Sequence, residues 1–227
     1  GSGERSKRER AAEIASVLAF SAIRNNDKVG VILFSEDVEK YIPPKKGRRH
    51  VLRVIREILF FEPRKRGTNL NAALEFLNRV TTHRAITVVV SDFIGTPVTS
   101  DPSTGRTPPG RSFLTESLIQ SAFVSLRATN KRHDVIAIQV VDRYELELPA
   151  IGRLVFKDAE TGEVVEINTG ELRKRAAFAE RQAKQQAELL RMLRTANIDA
   201  IQLRTDQDYG PALGRFFETR EKRRRKG

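Results

Sequence analysis

The stretch Ala85–Phe93, A-I-T-V-V-V-S-D-F, decides how the rest of the chain is read. Five apolar or β-branched residues run together from Ile86 to Val90, too few for a helix, and the polar pair Ser91-Asp92 closes them. That pattern predicts a strand buried on both faces, as in a parallel sheet. In open α/β sheets ligands bind just beyond the carboxyl ends of the strands, so Asp92 falls where a ligand-facing group would sit. The alternative is that a polar pair simply ends the strand.

Working outward, Lys28–Phe34 and His133–Val141 read as two further buried strands, and Ala200–Arg204 as a last short one. Helices are predicted between them. Ser6 and Glu9 form a capping-box signature ahead of an apolar stripe that runs to Asn25. Arg48–Phe61 carries apolar residues on one face and Arg49, Arg53 and Arg56 on the other, and Pro63 ends it. Gly67-Thr68-Asn69 opens a helix striped by Leu70, Ala73, Leu74, Leu77 and Val80, with Thr68 or Asn69 as its N-cap. Phe113–Asn130 and Gly170–Asn197 read as helices, the second with a buried edge of Ala176, Ala179, Ala183 and Ala187 finishing at Leu190 and Leu193. Val38–Ile42 reads as a hairpin partner that stops at Pro43-Pro44 and therefore lies at a sheet edge. The loop Gly95–Arg111 is long and rich in Gly, Pro, Ser and Thr, and Thr161-Gly162 marks the turn of a small late hairpin.

Alternating strands and helices predict an α/β fold with a doubly wound, mostly parallel sheet flanked by helices. The organisation read from the chain is a core over residues 1–142, an extension of the same domain over 143–217, and a basic tail over 218–227, of which Lys222–Lys226 has nothing to bury.

The chain has 227 residues, 31% of them charged, with a net charge of +12. That charge is concentrated in Pro43–Arg66 (+7), Gly170–Asn197 (+4) and Arg215–Lys226 (+5), so an acidic protein, an anionic membrane surface or nucleic acid could be attracted, unless these are solvated faces. There is no cysteine, which removes disulfides, thiolate metal sites and cysteine nucleophiles and suits a reducing, cytoplasmic setting. The longest apolar runs are strand-length, which predicts no membrane span and no signal peptide in these residues.

Phosphate-loop, nucleophile-elbow and dinucleotide-binding motifs are missing, and His50, His83 and His133 have no ligand spacing. The expectation is a chain that is not an enzyme. What remains is Thr68 at a helix opening and Asp92 at a strand end, a hydroxyl and a carboxylate. Such hard oxygen donors suit Mg²⁺ or Mn²⁺.

The V-G-V-I-L-F-S strand, the hairpin into Y-I-P-P, the G-R-R-H-V-L helix, G-T-N-L, V-V-V-S-D-F, H-D-V-I-A-I and the late R-T-D-Q-D-Y together resemble the bacterial family known as domain of unknown function 58. Its members carry a von Willebrand factor A-like domain. The resemblance implies a metal-ion-dependent adhesion site built from an Asp-x-Ser-x-Ser loop, a threonine and an aspartate. Thr68 matches the second position and Asp92 the third. The first is absent, because the chain starts at or just before the helix that follows that loop, and the resemblance therefore implies a sheet lacking its usual first central strand.

The resemblance further implies a non-enzymatic protein-interaction domain, an adaptor or chaperone-like partner of a MoxR-type AAA+ ATPase, with divalent-ion-dependent binding if the metal site is complete. Full-length relatives often carry membrane segments upstream. Two alternatives stand beside this: a metal-independent scaffold domain, and a basic nucleic-acid-binding protein. The absence of tryptophan and the three tyrosines leave few stacking surfaces for the latter.

Overall fold

The computed structural model describes residues 6–65, 67–93, 112–157 and 164–226. In chain order its elements are α1 (Lys7–Arg24), β1 (Val29–Phe34), β2 (Val38–Lys45), α2 (Arg48–Leu59), α3 (Leu70–Val80), β3 (Ile86–Ser91), α4 (Ser112–Arg132), β4 (Asp134–Val141), α5 (Arg143–Leu146), β5 (Arg153–Lys157), β6 (Val164–Asn168), α6 (Leu172–Thr195), β7 (Asp199–Arg204) and α7 (Gly210–Lys226). The Gly95–Arg111 loop and the Thr161-Gly162 turn lie outside the described residues.

The α/β architecture is the one the sequence predicts. Strands β3, β4 and β7 form a parallel sheet in the order β3-β4-β7, with Ile86 opposite Asp134 and Ile136 opposite Asp199 at its start. Alternate residues of these strands feed opposite cores, as a pleated strand requires. On one face Val89, Val135 and Ala137 pack with Leu70 and Leu74 of α3, Leu126 of α4 and Leu193 of α6. On the other, Ile136, Ile138, Val140 and Leu203 pack with Ile14 of α1 and Leu213 of α7. Ile14 is wholly buried, and burying a side chain of this size stabilises the fold by about 1.5–3 kcal/mol.

β1 and β2 form a separate antiparallel hairpin, and β5 and β6 another. A third core joins Val29, Val31, Leu33 and Ile42 of the first hairpin to Val54 and Ile58 of α2 and to Ala12 and Ala15 of α1. Helix α1 thus packs on both the hairpin and the parallel sheet, and Phe34 of β1 packs beside α3 on the sheet's opposite face. Among the described residues β1 and β3 share no ladder.

Four expectations are corrected. β3 packs on both faces, Val89 on one and Val88 and Val90 on the other, but less deeply than expected. Only Val89 is fully buried and Ile86 is 59% exposed, whereas β4 is buried from Val135 to Val141. β4 has a neighbour on each side, and β3 is paired on one side alone among the described residues. β2 runs through Pro43-Pro44 to Lys45, which an edge position permits because its outer side needs no N–H donor. A register shift between Val29 and Val31 accommodates the prolines, and a Cβ on Gly30 would lie 2.9 Å from the Ile42 carbonyl oxygen and 3.0 Å from Pro44. In α6, Ala176, Ala183 and Ala187 are exposed, and only Leu193 in its last turn is buried. Residues 218–226 are not a loose tail but the end of α7, where Arg220 is buried against Asp134 and Asp199.

Candidate functional site at the carboxyl edge

Thr68 and Asp92 both come to the end of the molecule where β1 and β3 finish. The Asn69 N–H donates to the Ser35 carbonyl just after β1 at 2.7 Å, fastening the Gly67–Asn69 segment there. Gly67 is buried and its N–H donates to Glu36. A Cβ at Gly67 would lie 2.6 Å from Glu36 Cγ, so a larger residue would displace that side chain. The N-cap of α3 is Asn69, whose side chain accepts from the Ala72 N–H at 3.1 Å. Of the two residues that could cap this helix, Asn69 does so.

Asp92 leaves β3 through a turn at Phe93, whose φ of 54° lies in the left-handed region that a bulky residue enters at a cost of about 1–2 kcal/mol. The Phe93 side chain packs against the core under α3, and its N–H donates to Ser91 Oγ, which hold the turn. Gln139 Nε2 donates to the Asp92 carbonyl at 3.0 Å. Gln202 Nε2 donates in turn to Gln139 Oε1 (3.1 Å) and to Gln186 Oε1 of α6 (2.8 Å). A row of amides therefore crosses the sheet and ends on the Asp92 backbone.

The Asp92 carboxylate is held by a cation from the chain itself. Lys7 Nζ donates to Asp92 Oδ2 at 2.8 Å and to Glu145 Oε1 at 2.6 Å, with all three side chains about one-third exposed. Burial alone would push the Lys7 ammonium down in pKa, but Asp92 and Glu145 outweigh it and hold the group above the usual lysine value. Lys7 is the first residue of α1, where the helix dipole disfavours a positive charge. Its position there depends on the two carboxylates.

Glu145 is fixed by its own helix. Asp142 and Glu145 form a capping box around α5, in which the Asp142 N–H donates to Glu145 Oε2 and the Tyr144 N–H donates to Asp142 Oδ1. The buried Asp142 also accepts from Thr205 Oγ1 beyond β7. Arg10 donates to the Thr205 carbonyl at 2.8 Å and lies over the Tyr209 ring. The first turn of α1 thus reaches the ends of β3, β4 and β7 together.

The donors of this edge can be tested against a divalent ion. Thr68 and Asp92 are the right chemistry, but no group of three or more His, Cys, Asp or Glu able to hold a metal occurs among the described residues. A divalent ion bound to Asp92 while Lys7 stayed would lie roughly 4–5 Å from the ammonium. Repulsion would then run from about 2 kcal/mol in water-like surroundings to about 7 at an effective dielectric of about 20. As arranged, these residues do not fit a divalent ion.

The sequence singles out Thr68 and Asp92 but not Lys7, Glu145, Asp142 and Gln139, which the structure gathers around Asp92. A lysine at the first position of a helix, against its dipole, was the one local signal that pointed to a nearby acid.

The fold and this edge define an α/β domain with a polar, ion-paired rim at the carboxyl ends of a parallel sheet. The chain belongs to the family described as protein of unknown function DUF58, which matches residues 1–188. It is 28% identical over 218 residues to the uncharacterized protein Rv1480 of Mycobacterium tuberculosis and to Mb1516 of Mycobacterium bovis, covering 95% of this chain and 61% of each of those proteins. The uncharacterized protein MAV169 of Mycobacterium avium is 30% identical over 183 residues, covering 80% of this chain and 94% of that one. Among solved structures, that of the conserved hypothetical protein BatB from Bacteroides thetaiotaomicron superposes with a TM-score of 0.52 at 17% identity, covering 96% of this chain and 90% of that one. No helix among the described residues is long and apolar enough to cross a membrane.

Proposed function

We propose that this chain is a non-enzymatic protein-interaction domain of von Willebrand A type that binds its partner at the carboxyl edge around Asp92 and Thr68, as an adaptor or chaperone-like partner of a MoxR-type AAA+ ATPase. In this reading it acts in the cytoplasm, with the full-length protein held at a membrane through upstream segments. The observation that carries the reading is the convergence of Asp92, Lys7 and Glu145, on three different elements, into one partly exposed polar rim. Among the described residues β1 and β3 share no ladder, while α1 packs on both the hairpin and the sheet. Divalent-ion dependence, with Mg²⁺ or Mn²⁺, belongs to this reading only where the Asp-x-Ser-x-Ser loop completes the site.

The test is capture of a purified MoxR-type ATPase on the immobilised chain. Capture should occur with the parent and fall at least tenfold with Asp92→Ala or Thr68→Ala; equal capture by all three would remove the edge from the binding site. Lys7 favours a second reading, a scaffold that binds without metal, for which capture would survive chelation by EDTA. Nucleic-acid binding would instead appear as affinity for DNA or RNA that falls steeply with salt and ignores divalent ions.

A further inference from the structure

We propose that the outer face of α1 and α2 is a membrane-docking surface: it lies on an anionic lipid bilayer, with Arg49, Arg53 and Arg56 on the lipid phosphates and Leu52, Leu59, Phe60 and Phe20 entering the headgroup layer. It uses none of the carboxyl-edge residues and stands whatever binds at that edge.

Helix α2 carries more apolar side chains than the fold covers. Val51, Val54 and Ile58 are buried, the last two against the β1–β2 hairpin and α1. Leu52 and Leu59 stay about half exposed, and Phe60, the C-cap residue, is 78% exposed. Steps of three and four residues put Arg49, Leu52, Arg53, Arg56 and Phe60 in one outward stripe. Arg8 at the start of α1 donates to the Phe61 carbonyl just past the end of α2, so the two helices lie side by side and antiparallel. On α1, Ala12 packs in the core shared with α2, and Phe20, two four-residue steps along the same ridge, emerges half exposed. Large apolar side chains grouped in the open and rimmed by charge mark an interaction surface.

The charge identifies the occupant. Glu57, the acid of α2, is turned to Lys40 of β2, while Arg49, Arg53 and Arg56 form no salt bridge among the described residues. The acids of α1 are engaged as well, Glu9 in the capping box and Glu13 with Arg10. Lys45, Lys46 and Arg48, exposed at the start of α2, extend the positive rim. A protein interface gathers its apolar residues at the centre and its polar ones at the rim, whereas here arginines and apolar side chains alternate along one stripe. Nucleic acid would use the arginines but gain nothing from leucines, which cannot stack on bases. The surface of an anionic bilayer takes both kinds at one depth: guanidiniums pair with phosphates, and Phe and Leu enter the acyl boundary.

The experiment is co-sedimentation of the folded chain with vesicles of phosphatidylcholine alone and of phosphatidylcholine mixed with phosphatidylserine. The parent should bind the mixed vesicles at least tenfold more tightly. Each cation near such a surface is worth about fivefold in partitioning, so Arg49→Gln/Arg53→Gln/Arg56→Gln should lose at least tenfold. Leu52→Ser/Phe60→Ser, at unchanged net charge, should lose at least fivefold. Arg173→Gln/Lys184→Gln/Arg194→Gln removes the same charge from α6 and should bind as the parent does. The chain has no tryptophan, so Phe60→Trp places a single fluorophore on the face without removing apolar surface. Its emission should shift to the blue with mixed vesicles and be quenched by brominated acyl chains, which keeps the test available if a serine variant folds poorly. Equal losses from the α2 and α6 triple variants, or a Phe60→Trp emission that ignores vesicles with which the chain sediments, would overturn the proposal. Tighter binding to duplex DNA than to the mixed vesicles would assign the face to nucleic acid and overturn it too.

Discussion

The two ends of the parallel sheet handle charge in opposite ways. At the amino end, Arg220 of α7 pairs with Asp134 at the start of β4 and Asp199 at the start of β7, and Arg223 adds a second contact to Asp199 at 3.1 Å. Arg220 is 8% exposed. At the carboxyl end the Lys7 ammonium, on a flexible stem, bridges Asp92 and Glu145, and all three groups keep contact with water. The first arrangement is buried and fastens α7 to two strands at once. The second is adjustable. Structure is held at one end, and charge is left negotiable at the other.

The comparison breaks most visibly at the amino end. Arg220→Met removes the buried guanidinium that joins Asp134 to Asp199, and removing one partner of a buried pair costs several kcal/mol. With both aspartates more than a quarter exposed, the expected loss is about 2–4 kcal/mol, read as a lower urea midpoint. A second effect at that end depends on pH. His133, just before β4, is 1% exposed with neither ring nitrogen hydrogen-bonded among the described residues. Burial pushes its pKa down, helped by Arg132 and Arg84. The unfolded chain therefore takes up a proton below about pH 6.5 that the folded one resists, and stability falls as pH drops from there toward the folded value. His133→Gln should flatten the urea midpoint between pH 7 and pH 5 relative to the parent.

The smallest effect sharpens the other side of the comparison. Lys7→Met at pH 7 should cost about 1 kcal/mol or less, because these ion pairs are screened by solvent. The Lys7 pKa is raised in the folded state, so its contribution is complete below the unfolded lysine value and disappears as pH rises through the folded one. Parent and variant should therefore converge in stability only as pH rises past the folded value, which lies above the ordinary lysine value of about 10.4. A loss as large as that of Arg220→Met would mean that both ends are structural.

Local pattern made much of this fold readable. The capping box at Ser6 and Glu9, the stripe of α3 and the apolar run of β4 all report their own surroundings, and each appears as the sequence predicts. A run such as Ile86–Val90 cannot reveal how many neighbours its strand has, so β3 looks the same in sequence as the more deeply buried β4. The Ala176–Ala187 stripe has helical spacing, but spacing alone does not supply a surface to bury it. Arg220 looked like part of a solvated run because its partner Asp134 lies 86 positions away. The site divides likewise: Thr68 and Asp92 sit at element ends that sequence can locate, whereas the Lys7 and Glu145 contacts exist only once the chain has closed.

The row of glutamines gives Asp92 a further property. Gln202 gives to Gln139 and to Gln186, and Gln139 gives to the Asp92 carbonyl, so the row has a polarity and turning any one amide end for end would set donor against donor or acceptor against acceptor. Through this polarity α6, a helix largely open to solvent over its first turns, is geared to the backbone that carries the Asp92 carboxylate. Whatever settles on that helix meets a lever whose short arm ends at Asp92.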